Sequence, residues 1–249
     1  VLGLSIEPDM FEILQDNTIR LTKAQTIING VYTIPPFVSA VASECFVGYR
    51  GDILKVINVQ NNIKVMRGMF MSCYLSVLDL TQFSTQGVTD MTYMFGLSEI
   101  AEIRGIAHFD TSAVTSMSHL FNNARVAKPL NLVSWNTDNV RDLSYAFQYM
   151  RAPVIDISTW TTKNLQECRG MFNGCDASTI LCGSMNMTEV ISLCEMFSHS
   201  DVTELDLSSW KPIHCVNFGN MFYYCTKLKT LRLFCADLSD TTINTANGI

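Results

Sequence analysis

Charged residues are scarce in this chain of 249 residues: Lys, Arg, Asp and Glu make up 16% of it, with 17 basic against 23 acidic side chains. The net charge of −6 and the lack of a basic stripe argue against a protein that grips a nucleic-acid backbone, because such binding needs cations that displace counterions. Apolar residues reach 48%. That content supplies a large core and excludes an intrinsically disordered chain.

Long apolar runs are also missing. The most apolar stretch, 32–42, is interrupted by Pro35 and Pro36, and no segment approaches the roughly 20 apolar residues that cross a bilayer. The first residues, which begin at Val1 rather than Met, do not form a basic and apolar leader. We therefore expect no direct insertion into a membrane.

Paired metal ligands and catalytic motifs are absent as well. The nine cysteines include no Cys-x-x-Cys pair and the four histidines no His-x-x-x-His pair, so the close ligand pairs of a zinc site are not found. The sequence also lacks a Gly-x-Ser-x-Gly elbow, a phosphate-binding loop and a His-Glu-x-x-His motif. We expect no metal, no cofactor and no catalytic centre, and we expect the cysteines to be reduced thiols in the core.

One motif recurs along nearly the whole chain, which indicates a repeat protein. A phenylalanine preceded by Met, Leu, Ala or Cys returns every 24 to 26 residues. These ladder phenylalanines are Phe46, Phe70, Phe95, Phe121, Phe147, Phe172, Phe197 and Phe222. A second aromatic ladder lies upstream in each repeat, at Phe83, Phe109, Trp135, Trp160 and Trp210.

Each repeat is predicted to contain one short strand and one short helix. Apolar residues lie seven, four and one positions before the phenylalanine, a spacing that places them on one side of an α-helix. Alternating segments such as Leu78–Leu80 and Leu205–Leu207 indicate the strand. The prediction is an α/β solenoid of the leucine-rich-repeat type, with about eight units of one parallel strand and one helix each.

The repeat resembles the BspA-like leucine-rich repeats, in the subtype of bacterial surface proteins. The resemblance is carried by 205–210 (LDLSSW) with 221–225 (MFYYC), by 88–95 (VTDMTYMF) and by 33–46, and it extends over about 33–235. It implies a cell-surface or secreted protein that acts in adhesion, from a family without shared catalytic residues. One unit departs from the pattern, because 180–185 (ILCGSM) lacks both the acidic strand residue and the aromatic residue.

Three segments follow from the repeat: an N-terminal cap over 1–32, the solenoid over 33–238 and a C-terminal tail over 239–249. Within the cap, Glu7–Gln15 is expected to form a short helix, with Pro8 in its first turn. The pair Asn29–Gly30 predicts a type I′ hairpin turn.

The outward side chains of the strands form the candidate ligand-binding surface, because a solenoid presents one such side chain per unit on a rigid platform. The candidate residues are Asp79, Asn131, Asp156, Asp206 and Arg232. Asp156 and Asp206 lie two units apart, about 10 Å by strand spacing, which is at or beyond the separation of glycosidase carboxylates.

We therefore expect a non-enzymatic recognition or adhesion protein that binds a protein or glycan on a cell or host surface. The alternative is a structural subunit of a larger surface or virion assembly, in contact with sister subunits. The low charge favours this alternative, because a lone soluble rod usually carries more charged side chains. Related repeats also occur in phage-encoded proteins.

Overall fold

The computed structural model describes residues 11–13, 15, 19–22, 27, 29–38, 40–41, 45–58 and 63–234. Within these ranges the chain forms a parallel β-solenoid of about eight turns. The strands are β1 Phe11–Ile13, β2 Ile19–Leu21, β3 Val31–Thr33, β4 Ala40–Val41, β5 Arg50–Ile57, β6 Tyr74–Asp79, β7 Glu99–Arg104, β8 Arg125–Val126, β9 Val154–Asp156, β10 Thr179–Leu181, β11 Glu204–Asp206 and β12 Thr230–Arg232.

The strands form three sheets in the described part of the chain. One parallel sheet has the order β3-β5-β6-β7-β8, and a second has the order β12-β11-β10-β9. Between β8 and β9 the ladder is reduced to a single bridge, Arg125 with Arg151. On β6, Leu75 and Leu78 enter the core while Tyr74 faces outward. The two leucines are three positions apart, so the usual alternation of side chains is interrupted between them.

The prediction of one helix per repeat is wrong. The described residues contain no α-helix, and their only helical segment is the 3-10 turn Ile106–His108. The segment before each ladder phenylalanine from Phe70 to Phe222 is a run of β-turns. The N–H of Met94 donates to the carbonyl of Met91 three residues back, whereas the N–H of Phe95 donates to the carbonyl of Leu120 in the next coil. An α-helix would instead direct every N–H to a carbonyl four residues back.

Backbone conformation explains why the turns do not extend into a helix. The residues two before and two after each ladder phenylalanine from Phe70 to Phe222 have positive φ, for example 56° at Tyr93, 56° at Leu97 and 55° at His119. A left-handed residue cannot continue a right-handed helix. The apolar spacing of three and four residues suits both an amphipathic helix and a run of β-turns, so the pattern alone did not separate them.

The ladder phenylalanines stack in one continuous column through the core. Each ring lies nearly parallel to the next, with centroid distances of 5.0 to 5.9 Å from Phe46 to Phe222. The second aromatic ladder is also buried, and its indoles are hydrogen bonded. The Nε1–H of Trp160 donates to the carbonyl of Leu132 at 3.0 Å, and those of Trp135 and Trp210 donate in the same way. Each coil is thus covered by its neighbours.

The N-terminal region adds a small sheet to the solenoid. Strands β1 and β2 pair antiparallel, and β2 pairs in parallel with β4. Phe11–Ile13 is therefore a strand rather than part of the expected helix over Glu7–Gln15, whose first residues lie outside the described part. Asn29 and Gly30 form a turn with positive φ at both positions, and the following strand, β3, pairs with β5.

The predicted tail over 239–249 lies outside the described residues. Among the described residues, the structure shows no helical segment with the length and hydropathy of a membrane span.

A further aromatic stack, separate from the two buried ladders, lies on the outside of the turns. The imidazole of His119 lies between the rings of Tyr93 and Tyr145, at centroid distances of 4.3 and 5.0 Å. The Nδ1 atom of His119 is buried and has no hydrogen-bond partner. Burial lowers the pKa of His119, and the nearby carboxylate of Asp142 opposes that shift.

This histidine should make the stability of the protein depend on pH. The pKa of His119 is about 6.5 in the unfolded chain and lower in the folded protein. The unfolded state therefore takes up the proton first as the pH falls. The free energy of unfolding should therefore decrease as the pH drops below about 6.5. His119→Asn, which tolerates the positive φ, should reduce this slope when urea unfolding is compared at pH 7.5 and pH 5. Equal slopes for both proteins would contradict the assignment.

Candidate functional site

The sheet face is the outward side of strands β5–β12. Strands in a sheet lie about 4.8 Å apart, so each outward position repeats at that interval along the solenoid. The coils are fixed by hydrogen bonds from one to the next, such as those from the N–H of Phe95 to Leu120 and of Phe121 to Ala146. Side chains on this face are therefore held at set spacings.

The three predicted aspartates each end a strand and close the turn that follows. In each, Oδ1 accepts the N–H of the residue two positions later, at 3.0 to 3.1 Å. At two of them, the hydroxyl of that residue also donates, at 2.6 Å. The acceptor and donor pairs are Asp79 with Thr81, Asp156 with Ser158 and Asp206 with Ser208. One carboxylate oxygen of each aspartate thus accepts hydrogen bonds within the turn. These bonds fix the orientation of the second carboxylate oxygen.

The predicted residues do not form one continuous row. Asn131 is exposed and lies outside any strand, between β8 and β9, where the sheet is interrupted. Asp79 belongs to the first sheet, in register with Lys55 and Arg104. Asp156, Asp206 and Arg232 belong to the second sheet.

Only Asp206 and Arg232 of the predicted set are in direct contact. The guanidinium of Arg232 donates from Nη1 to Oδ2 of Asp206 at 3.2 Å. Hydrogen bonds from the hydroxyl and N–H of Ser208 lower the pKa of Asp206, and the guanidinium of Arg232 adds to this. The carboxylate therefore stays ionised at neutral pH, beside an exposed cation.

This ion pair borders a groove of about 520 Å³, which we name the Gly183 groove. It coincides with the departing repeat unit over 180–185. Gly183 occupies the position that carries Ser158 and Ser208 in the neighbouring coils, so this coil adds no side chain there. The polar residues of the groove are Ser158, Ser184, Glu204, Asp206, Ser208, Ser209, Thr230 and Arg232.

The polar side chains of the groove offer hydrogen-bond donors and acceptors. The eight cysteines that the structure describes are free thiols, and most are buried. Burial raises the pKa of Cys73 to about 12. Among the described residues, no group of three or more His, Cys, Asp and Glu side chains is placed to hold a metal ion.

Sequence reasoning missed a second feature of the sheet face, which we name the arginine–tyrosine row. It consists of the residues four positions after five successive ladder phenylalanines, Arg50, Tyr74, Glu99, Arg125 and Arg151. The signal in the sequence is the recurrence of charged and aromatic residues four positions after each ladder phenylalanine.

Comparison with known proteins places the chain in a family. The family described as "Mycoplasma protein of unknown function, DUF285" matches residues 64–181 and 151–238, which together cover more than half of the chain. The chain belongs to the DUF285 family. The DUF285 match includes the Gly183 groove and all of the arginine–tyrosine row except Arg50. No curated protein and no solved structure matches the chain significantly.

Proposed function

We propose that this DUF285 protein is a non-enzymatic recognition protein that binds a polypeptide or a glycan on a cell or host surface through its sheet face. The observation that carries the proposal is the Gly183 groove, where one coil loses its side chain and its neighbours supply hydroxyls and the Asp206–Arg232 pair. Such a groove matches the hydroxyls of a sugar or the amides of an extended peptide.

Rigidity supports this assignment. The groove is built from strands and turns of coils whose cores are the buried aromatic columns, so its polar groups are fixed before a ligand arrives. A preformed surface avoids the loss of conformational entropy that binding otherwise costs. Several weak hydrogen bonds then suffice for specific recognition.

The repeat pattern supports a location at the cell surface. The resemblance to the BspA-like surface repeats supports this location, and the DUF285 family to which the chain belongs is described as a Mycoplasma protein of unknown function. The BspA-like subtype and the adhesive role belong to this proposal.

A second candidate function is that of a structural subunit which contacts sister chains. It is favoured by apolar side chains that are exposed in the last coils: Ile191 at 50%, Ile213 at 71% and Val216 at 82%. Ile191 and Val216 lie in neighbouring coils, joined by a hydrogen bond from the N–H of Val216 to the carbonyl of Ile191. Exposed apolar patches often mark contacts between proteins.

The recognition function is tested by probing the full chain on an array of glycans and an array of short peptides. Arg232→Glu places a repelling charge beside Asp206 and should weaken binding to any positive probe by about tenfold or more, since hydrogen bonds to charged groups contribute about 1.5–3 kcal/mol. The matched control is Arg141→Glu, an exposed arginine outside the groove. It should leave binding unchanged.

Two results would contradict the recognition function: no binding on either array, or equal losses for the two variants. Sedimentation separates the candidates. A monomer supports recognition, and an obligate assembly that Val216→Asp dissociates supports the structural subunit.

A further inference from the structure

We infer that the arginine–tyrosine row is a second binding site, and that it takes an acidic polysaccharide, whose carboxylate or sulfate groups lie on the arginines. The inference rests on the proposed recognition function but concerns a different surface from the Gly183 groove. The two surfaces lie on different sheets, since the row ends at Arg151 and the groove begins at Ser158.

The fold gathers the row from five successive coils. Backbone pairing aligns Arg50 with Tyr74, Tyr74 with Glu99, Glu99 with Arg125 and Arg125 with Arg151. Four strand spacings give a length of about 19 Å. All five side chains are exposed, so the row presents a straight line of charged and aromatic groups.

The charges of the row are only partly neutralised. The guanidinium of Arg125 donates to Glu99 at 3.2 Å, and that of Arg50 lies 4.0 Å from the ring centroid of Tyr74. Arg151 forms no ion pair with any residue that the structure describes. Three guanidiniums thus face one carboxylate, although the chain as a whole carries −6.

The basic character is limited to this part of the face. Asp52 lies two residues after Arg50, and Asp176 follows Arg151 in the next coil. The positive stretch therefore consists of Arg125 and Arg151, whose backbones are neighbours, and it lies between Glu99 and Asp176. The guanidinium of Arg151 can bind an anionic group in a bidentate manner, and that of Arg125 can donate from the nitrogens that do not contact Glu99.

The shape of the surface favours a polysaccharide over a folded protein. Two shallow depressions flank the Glu99–Arg125 pair, with volumes of about 430 and 230 Å³. Small residues such as Ser76 and Ala101 line the first, and Tyr149 and Arg151 line the second. Neither depression is a deep apolar pocket of the kind that receives the anchoring side chain of a protein partner.

Exposed aromatic rings beside the arginines complete the match. Tyr149 is 51% exposed, so its ring is accessible to the C–H face of a sugar ring. Tyr74 is 37% exposed and carries the guanidinium of Arg50 over its ring. An acidic polysaccharide supplies both features that the row can hold, a flat apolar face and regularly repeated anionic groups.

The test measures binding of the full chain to chondroitin sulfate, with neutral dextran and poly-L-glutamate as the other probes. Chondroitin sulfate should bind, dextran should not, and polyglutamate should bind at least tenfold more weakly. Raising the salt from 50 to 300 mM should weaken the chondroitin sulfate complex, because its contacts are ionic. Equal or tighter binding of polyglutamate would overturn the polysaccharide in favour of an acidic polypeptide.

Three substitutions locate the site. Arg151→Gln should weaken binding of chondroitin sulfate by about fivefold or more, and Tyr149→Ser should weaken it while Tyr149→Phe does not. The matched control Arg141→Gln should have no effect. Absence of binding, or equal losses for Arg151→Gln and Arg141→Gln, would overturn the inference.

These results are separable from the test of the Gly183 groove. Arg232→Glu leaves the row intact, so chondroitin sulfate binding should persist in that variant. Loss of chondroitin sulfate binding in Arg232→Glu would place the anion in the groove and overturn the assignment to the row.

Discussion

Replacing Phe147 with alanine should lower the free energy of unfolding by about 3 to 5 kcal/mol, the usual cost of removing a buried phenylalanine ring. Phe147 is fully buried. Its ring lies between those of Phe121 and Phe172, at 5.9 and 5.5 Å, and 6.1 Å from Trp160. The cavity would thus interrupt the column in the middle of the solenoid. Urea unfolding followed by tryptophan fluorescence measures the loss, because Trp160 adjoins the site.

The matched control is Phe222→Ala, at the end of the described column. Phe222 is only partly buried, and its ring stacks on Phe197 at 5.8 Å. Its truncation should cost about 1 to 2 kcal/mol, since less apolar surface is lost from the core. Equal losses at Phe147 and Phe222 would mean that the coils do not depend on the continuous column.

Gly105→Ala should destabilise the protein by more than about 4 kcal/mol or prevent folding, because backbone strain and a steric clash coincide at this position. Gly105 has a φ of 83°. A Cβ atom at this position would lie 2.5 Å from the backbone nitrogen of Thr81 and 2.6 Å from the carbonyl carbon of Leu80. Both contacts are with the backbone of the adjacent coil, so the coils would have to separate. Yield of folded protein and thermal unfolding provide the measurement.

Gly48→Ala separates the backbone strain from the steric clash. Gly48 also has positive φ, at 70°, but an added Cβ atom would meet nothing within 4 Å. This substitution should therefore cost only the left-handed strain of an alanine, about 1 to 2 kcal/mol. If both alanine variants lose the same stability, close approach of the coils is not what requires glycine at Gly105.

The period of the fold could be predicted from the sequence, but the conformation within each coil could not. Phenylalanines spaced by about 25 residues come together only if successive coils stack. The alternating Leu78–Leu80 segment marks the inward and outward sides of a strand. The residues before Phe95 follow a spacing shared by a helix and by successive β-turns. The hydrogen bonds that decide between them reach the next coil, as from Phe95 to Leu120, and local periodicity contains no information about that partner.

The candidate site was predictable to a similar degree. The spacing of Asp79 and Thr81, repeated as Asp206 and Ser208, is that of an aspartate that accepts a hydrogen bond from the backbone two residues later. The structural role of these aspartates was therefore predictable. The contact of Asp206 with Arg232 depends on register between coils. The groove at Gly183 depends on what the neighbouring coils place around it, and the departing unit over 180–185 was the only local sign.

Because every coil repeats the same stacked contacts, the length of the rod can change without a new core. Loss or gain of a segment of about 25 residues removes or adds one whole coil and keeps the remaining phenylalanines stacked. The length of the solenoid then changes by one strand spacing, about 4.8 Å. A change of half that size would instead bring a ring opposite a strand. Gene duplication and recombination can therefore lengthen or shorten such a protein only in whole coils, while binding surfaces on other coils are inherited unchanged.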